Sequence, residues 1–151
     1  MPSPRNSAKT KRPVATTEKI RVRRVTENRR KYFCTPKGRA YQIFNNARQR
    51  AKKRDIEFTI NLAWVQDRVE AGFCQVTGLD LEIKNIKQYG KEMNAQPFGP
   101  TLDRKNPSLG YTEDNTQVVV AVYNYAKMHW SHEDVVIMAS ALLRKENNNE
   151  V

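Results

Sequence analysis

Asp103 and Asn124 are the residues whose types, taken together, could do chemistry. A carboxylate and an amide both offer hard oxygen donors, the ligands that Mg²⁺ and Mn²⁺ prefer, and two of them leave other coordination positions to water and a phosphate. An ion held so openly polarises a phosphodiester and stabilises charge on the departing oxygen. Arg104, adjacent to Asp103, suits the same substrate. Its guanidinium can grip a phosphate through paired N–H bonds, but it stays protonated at any working pH and cannot be the base that activates water. That would leave the base to a metal-bound hydroxide, to the substrate's own phosphate or to another residue. Two histidines, His129 and His132, follow Asn124. One reading brings His129 to the phosphate or the attacking water. The other makes residues 128–134 a surface corner, with Trp130 as packing anchor and Ser131 as helix cap, and it is the reading adopted for His132.

Bringing Asp103 and Asn124 together requires the chain to reverse between them. Thr101, Leu102 and Asp103 alternate as a short strand, and Asn106-Pro107-Ser108 followed by Leu109-Gly110 are consecutive turn signals. A second strand is expected over 116–120. Val118, Val119 and Val120 then pass into Val122 and Ala126, so that the strand leads directly into a short helix carrying Asn124 and Lys127. The unit is β-turn-β-α.

This unit resembles the HNH endonucleases, also called His-Me finger or ββα-metal nucleases. Their pattern is an Asp-His pair on the first strand, a loop Asn, a His or Asn on the helix and a Lys three residues later. Asp103-Arg104 stands at the Asp-His position, Asn115 matches the loop Asn, Asn124 the second metal ligand and Lys127 the trailing Lys. The words LDRKNPSLGYTEDN look like a phage-type subgroup, as does RAKKRDIEFTI followed by a helix and GFCQVTG. The resemblance covers about residues 36–145. It implies that Asp103 and Asn124 ligate Mg²⁺ or Mn²⁺, that Arg104 binds phosphate, that Asn115 holds the loop and that Lys127 supports the substrate. Many HNH proteins also brace the fold with zinc on two Cys-x-x-Cys pairs. The corresponding positions here read Cys74-Gln75-Val76-Thr77 and Val120-Ala121-Val122-Tyr123. One thiol cannot hold tetrahedral zinc, so no structural zinc is expected, and Val120, Val122 and Tyr123 are expected to pack in its place. The implied activity is metal-dependent hydrolysis of DNA by a phage-encoded enzyme. The alternative is a catalytically degenerate module that binds nucleic acid or a host protein.

Charge points the same way. The 151-residue chain carries a formal charge of +11, and residues 1–60 hold 18 Lys and Arg against 4 Asp and Glu, while the remainder holds 9 against 12. A basic half of this kind suits a polyanion, DNA rather than RNA on the resemblance. Residues 1–35, rich in Lys, Arg, Ser, Thr and Pro, read as a flexible basic arm, with Arg21, Arg23, Arg24, Arg29, Arg30 and Lys31 along the phosphate backbone. Ala40, Ile43, Phe44, Ala47 and Ala51 then mark one face of an amphipathic helix beginning near Arg39. Arg39, Arg48, Arg50, Lys52, Lys53 and Arg54 populate its other face as a phosphate-binding surface. Its apolar stripe is too shallow for a membrane surface helix. No apolar run is long enough to span a bilayer and no secretory signal is seen, so a cytoplasmic location is expected.

The remaining elements frame this unit. Residues 55–60 alternate as a strand, and Asn61 caps a helix that carries Leu62, Val65 and Val69 and stops at Gly72. Residues 73–78 read as a strand ending in a turn, and 84–99 as an irregular insertion over the substrate. Ser131 with Asp134 caps a final amphipathic helix through Val135, Met138, Ala139, Leu142 and Leu143, ahead of a disordered tail at 146–151. The two cysteines, Cys34 and Cys74, are read as free thiols. The expected fold is therefore α+β: one small domain over 36–145, with the ββα unit at about 100–129. Deleting residues 1–30 is expected to weaken nucleic-acid binding and flatten its dependence on salt while leaving the thermal unfolding midpoint nearly unchanged. Anisotropy titrations at several KCl concentrations check the first part and a melting curve the second.

Overall fold

The computed structural model describes residues 27–29, 31–83 and 96–149. In chain order it contains α1 (Pro36–Arg54), α2 (Leu62–Glu70), β1 (Pro100–Arg104), β2 (Thr116–Val120), α3 (Ala121–Lys127) and α4 (His132–Asn149), with residues 27–29 and 31–33 also helical. This is a small α+β architecture. Helix α1 begins at Pro36 rather than Arg39, because Thr35 Oγ1 accepts the Gly38 N–H at 3.1 Å and proline suits the first helical position. It ends where Asp55 turns left-handed at φ 52°. Defined structure thus reaches into the stretch read as a flexible arm, and Gly38 is where the two meet: a Cβ there would run into the Tyr32 carbonyl. Arg21, Arg23, Arg24 and Arg30 lie outside the described residues.

Ala40, Ile43, Ala47 and Ala51 of α1 pack with Trp64, Val65 and Val69 of α2 and with Ile60, Leu102, Tyr111 and Val118 in one core. Helix α2 starts as the sequence reads it. Asn61 accepts the Trp64 N–H at 2.9 Å, and Gly72, at φ 83°, follows its end. Strands β1 and β2 pair antiparallel, with Leu102 opposite Val118 and Asp103 opposite Gln117. Every residue of β2 is buried. Val118 faces the first core, whereas Val119 and Val120 join Cys74 and Tyr123 in a second cluster, which Val76, Leu81 and Val135 flank. Burial on both faces explains why β2 is a run of valines rather than an alternating strand. Val122, expected to pack here, is 47% exposed because it leaves on the outer side of α3.

Several local expectations are overturned. Residues 55–60 form no strand. Asp55 and Ile56 bond back to the end of α1, and beyond them the backbone meets Tyr111, which donates to Glu57 O at 2.8 Å and accepts from Thr59 at 3.0 Å, so a single bridge forms where a strand needs a continuous ladder. Residues 73–78 likewise make one isolated bridge, Phe73 with Asp80, because Gly78 N–H bonds back to Cys74 O and consumes the segment in a turn. Residues 84–95 of the expected insertion lie outside the described residues.

Helix α4 has the expected cap: Ser131 Oγ accepts Asp134 N–H at 3.1 Å, while Asp134 Oδ2 accepts Ser131 N–H at 3.0 Å. The Ser131 N–H and hydroxyl, both donating to Oδ2, hold the Asp134 carboxyl below its usual range. The helix continues to Asn149, past the expected start of the tail, since no Gly or Pro interrupts it. Its apolar stripe is not buried. Val135 alone joins the core, and Met138, Leu142 and Leu143 remain about half exposed or more.

Gly110 is where the loop between the strands touches the connection after α1. A Cβ there would collide with the Glu57 backbone, which cannot yield as a flexible side chain would. Gly110→Ala is expected to destabilise the protein by about 1–3 kcal/mol. The midpoint of urea unfolding, read with an unchanged slope, checks this.

Candidate active site and its basic cleft

Asp103 lies near the end of β1 and is 4% exposed. Both carboxylate oxygens are engaged. Oδ1 accepts from Lys127 Nζ at 3.1 Å, and Oδ2 from Nε2 of the cross-strand neighbour Gln117 at 2.9 Å. Lys127 is 1% exposed and also donates to the Arg104 carbonyl at 2.8 Å. Its ammonium, which the resemblance assigns to the substrate, is engaged within the protein: it ties the last turn of α3 to β1 and fixes Asp103. Burial is the physical reason, because a lysine this deep must find a counter-charge within the protein.

One turn before Lys127, Asn124 is held against the same strand. Its Nδ2 donates to Thr101 Oγ1 at 3.0 Å and to the Leu102 carbonyl at 3.1 Å, and no described residue bonds its Oδ1. Asn115 closes the turn between the strands. Its Oδ1 accepts from Asn106 N–H at 2.9 Å, while its Nδ2 donates to the Asn106 and Gly110 carbonyls at 3.1 and 2.8 Å. Arg104 is half-buried, with Nη1 on the Leu109 carbonyl at 2.7 Å and its guanidinium carbon 5.3 Å from the Tyr111 ring centre. That leaves most of its five N–H donors for another acceptor.

Asp103, Arg104, Asn124 and His129 line one cleft of about 560 Å³, together with Arg50 and Arg54 of α1. The two arginines sit one turn apart on α1, so the basic helix and the β-hairpin converge on one space. Arg48, Lys52 and Lys53 are exposed but lie away from this cleft, and Arg29 and Lys31 are exposed on the preceding segment. Arg39 does not join the open basic face. It is buried, in contact with Gln42 and Gln96. His129 stacks beside Trp130 at 4.5 Å between ring centres, and Trp130, expected to anchor the corner, is 57% exposed. His132 turns away from the cleft, its Nδ1 3.1 Å from the Tyr123 hydroxyl. Burial, reinforced by the negative charges of Asp103, Cys74 and Glu133, pushes the Tyr123 phenol up to about 12.

Sequence reasoning missed Gln117, Thr101, Tyr111 and Tyr125. Gln117 had a signal: it is the polar residue between Thr116 and three valines in a strand too apolar to face water, so its amide needed a buried partner. Tyr111 and Tyr125 line the cleft only through the tertiary fold. Among the described residues no group of three or more His, Cys, Asp or Glu side chains converges, and Cys34 and Cys74 are free. No described helix is long and apolar enough to cross a membrane. Comparison of the chain with protein-family models, characterised proteins and solved structures gives no match.

Removing one member of the buried Asp103–Lys127 pair leaves the other as an uncompensated charge. Lys127→Met is expected to cost about 3–5 kcal/mol in chemical unfolding. Adding Asp103→Asn to it should recover part of that loss, and a double-mutant cycle measures how much.

Proposed function

We propose that this protein is an HNH-type endonuclease that hydrolyses phosphodiester bonds in DNA with a Mg²⁺ or Mn²⁺ ion held by Asp103 and Asn124. The observation that carries this reading is the convergence in one cleft of two hard oxygen donors, Asp103 and Asn124, with the guanidinium groups of Arg50, Arg54 and Arg104. The antiparallel β1–β2 pair running into α3 has the order of elements that the resemblance implies. Carboxylate oxygens retain acceptor capacity beyond one hydrogen bond each, so Asp103 can keep Lys127 and Gln117 while facing a cation. The donor set fits a hard ion in kind, and Lys127 neutralises part of the attraction, so binding is weak and exchangeable. When bound, the ion supplies Lewis-acid stabilisation of the charge on the departing oxygen.

The chain's own residues do the rest. Arg104 binds the phosphate through donors not used by Leu109. Arg50 and Arg54 draw the backbone into the cleft and hold it beside Asp103. Asn115 sets the turn that presents Arg104, and Lys127 positions Asp103 through their ion pair. His129 is the one imidazole among the cleft residues and is the candidate to take a proton from water, a role Arg104 cannot fill. The lining of the second cluster by Cys74, Val76, Val120 and Tyr123 fits a domain braced by apolar packing rather than by structural zinc.

A second reading is favoured by the same Asp103 geometry. With both oxygens engaged and arginine at the base position, the scaffold is a degenerate module that binds nucleic acid or a host protein without cutting. Incubating the purified chain with supercoiled plasmid and single-stranded DNA, with Mg²⁺, Mn²⁺ or chelator, separates the two. The nuclease reading expects metal-dependent nicking that Asp103→Ala and Asn124→Ala abolish while most DNA binding remains. Arg104→Ala is expected to lower the rate and Arg104→His to raise it. Cleavage that survives both Asp103→Ala and Asn124→Ala would falsify this site, and absence of cleavage with every metal favours the binding module.

A further inference from the structure

Arg39 is a guanidinium in the first turn of α1, 7% exposed and paired with no carboxylate among the described residues. Its Nη1 donates to Gln42 Oε1 and its Nη2 to Gln96 Oε1, both at 3.1 Å, so two of its partners are neutral amides. Its Nε is buried with no partner. No described carboxylate pairs with it; among the described residues the ion pair is Lys127 with Asp103. Burial pulls the Arg39 pKa down, and the nearby Cys34 thiol offsets this only in part. A protein retains such a group at a cost in stability, which a bound anion would offset.

The surroundings have the chemistry for that anion. Arg39 borders a pocket of about 160 Å³ with Gln42, Asn46, Arg50, Gln96 and Thr101, and no Asp or Glu is among the described residues that line it. The volume is several times the ~30 Å³ share of one water molecule, enough for an oxyanion. Arg50 and Thr101 also line the larger cleft, so the two spaces adjoin. On α1 the positions 39, 43, 46, 50 and 54 follow one helical face, and Arg39 to Arg54 spans about 22 Å at the helical rise. That length matches roughly six nucleotides of one strand at 3.4 Å each.

We propose that the Arg39 pocket is a phosphate-binding subsite, which takes a backbone phosphate of the nucleic acid a few nucleotides from the phosphodiester held beside Asp103. The nucleic-acid source of the phosphate rests on the function proposed above; the oxyanion chemistry of the pocket does not. Arg39 and Arg50 supply the charge, and Asn46 and Thr101 supply neutral hydrogen-bonding groups. Arg39 is the buried cation of the lining, and its desolvated donors gain most from an anion.

The test uses the full chain, Arg39→Met and Arg50→Met in two measurements. In the first, inorganic phosphate is titrated in a thermal-shift assay without nucleic acid; the wild-type midpoint should rise, and that of Arg39→Met should not. In the second, binding of a short DNA duplex is followed by anisotropy over a range of KCl with chelator present. Arg39→Met should bind about tenfold more weakly, and its slope of log affinity against log salt should fall by about one. Arg50 is exposed, so Arg50→Met keeps the test open if Arg39→Met does not fold: it should lower the same slope and reduce the phosphate shift. An unmoved wild-type midpoint overturns the anion pocket. A phosphate shift with unchanged salt slopes assigns the pocket to a free oxyanion and overturns the nucleic-acid subsite. Plasmid cleavage by the wild type and its loss in Asp103→Ala judge the nuclease reading separately. A chain that cuts nothing but loses salt slope in Arg39→Met keeps the subsite and discards the enzyme.

Discussion

The buried ion pair between Asp103 and Lys127 is the interaction on which the rest of the site depends. It joins the end of β1 to the last turn of α3, and Lys127 completes the tie by bonding the Arg104 carbonyl. Taking both charges out of water carries a large desolvation penalty, so the pair persists only because its remaining valences are met. Gln117 meets one of them, and the strand register places it directly opposite Asp103. Asn124 gains its position from the same arrangement. With α3 fastened to β1 at Lys127, the amide one turn earlier comes to rest on Thr101 and Leu102.

Around this pair the protein is built as two apolar clusters separated by β2. Valine suits a strand buried on both faces because its branched side chain packs on the pleated surface and needs no hydrogen-bond partner. One cluster holds the two long-range helices α1 and α2 against the hairpin, and the other gathers Cys74 and Tyr123 behind it. The Asn115 clamp and the close approach of Gly110 to Glu57 bind the loop to the first cluster, so the loop carrying Arg104's carbonyl partner is part of the same packed body.

Helix α1 divides its surface between these tasks. Its alanine-rich stripe lets it approach α2 and the hairpin closely, while the face with Arg50 and Arg54 borders the cleft. Alanine at the contact is what brings the guanidinium groups within reach of β1; larger residues would hold the helix further away. Packing and charge placement are thus one decision, made by which side of the helix carries small residues. Arg39 is the exception, since its position in the first turn brings a cation into the packed region.

Local chemistry was enough to read the strand–turn–strand–helix unit, the caps at Asn61 and Ser131 and the apolar faces of α1 and α2 from the sequence. Each rests on contacts between near neighbours: a side-chain oxygen reaching an N–H three residues on, or apolar groups recurring with the helical period. The same local signals failed where a partner was needed. Residues 55–60 alternate as a strand should, but a strand is made by its neighbour, and Tyr111 offers only one rung. The periodicity of α4 marks a helix without saying what covers it, and most of that stripe remains exposed. In the candidate site, the sequence by itself determined that Asp103, Arg104 and Asn124 belong to one reversal of the chain. Only the tertiary structure decided that Lys127 pairs with the Asp103 carboxylate, that Gln117 shares that carboxylate, and that Arg50 and Arg54 but not Lys52 or Lys53 line the cleft. The reason is that burial and helix rotation are set by long-range packing, which no stretch of sequence contains by itself.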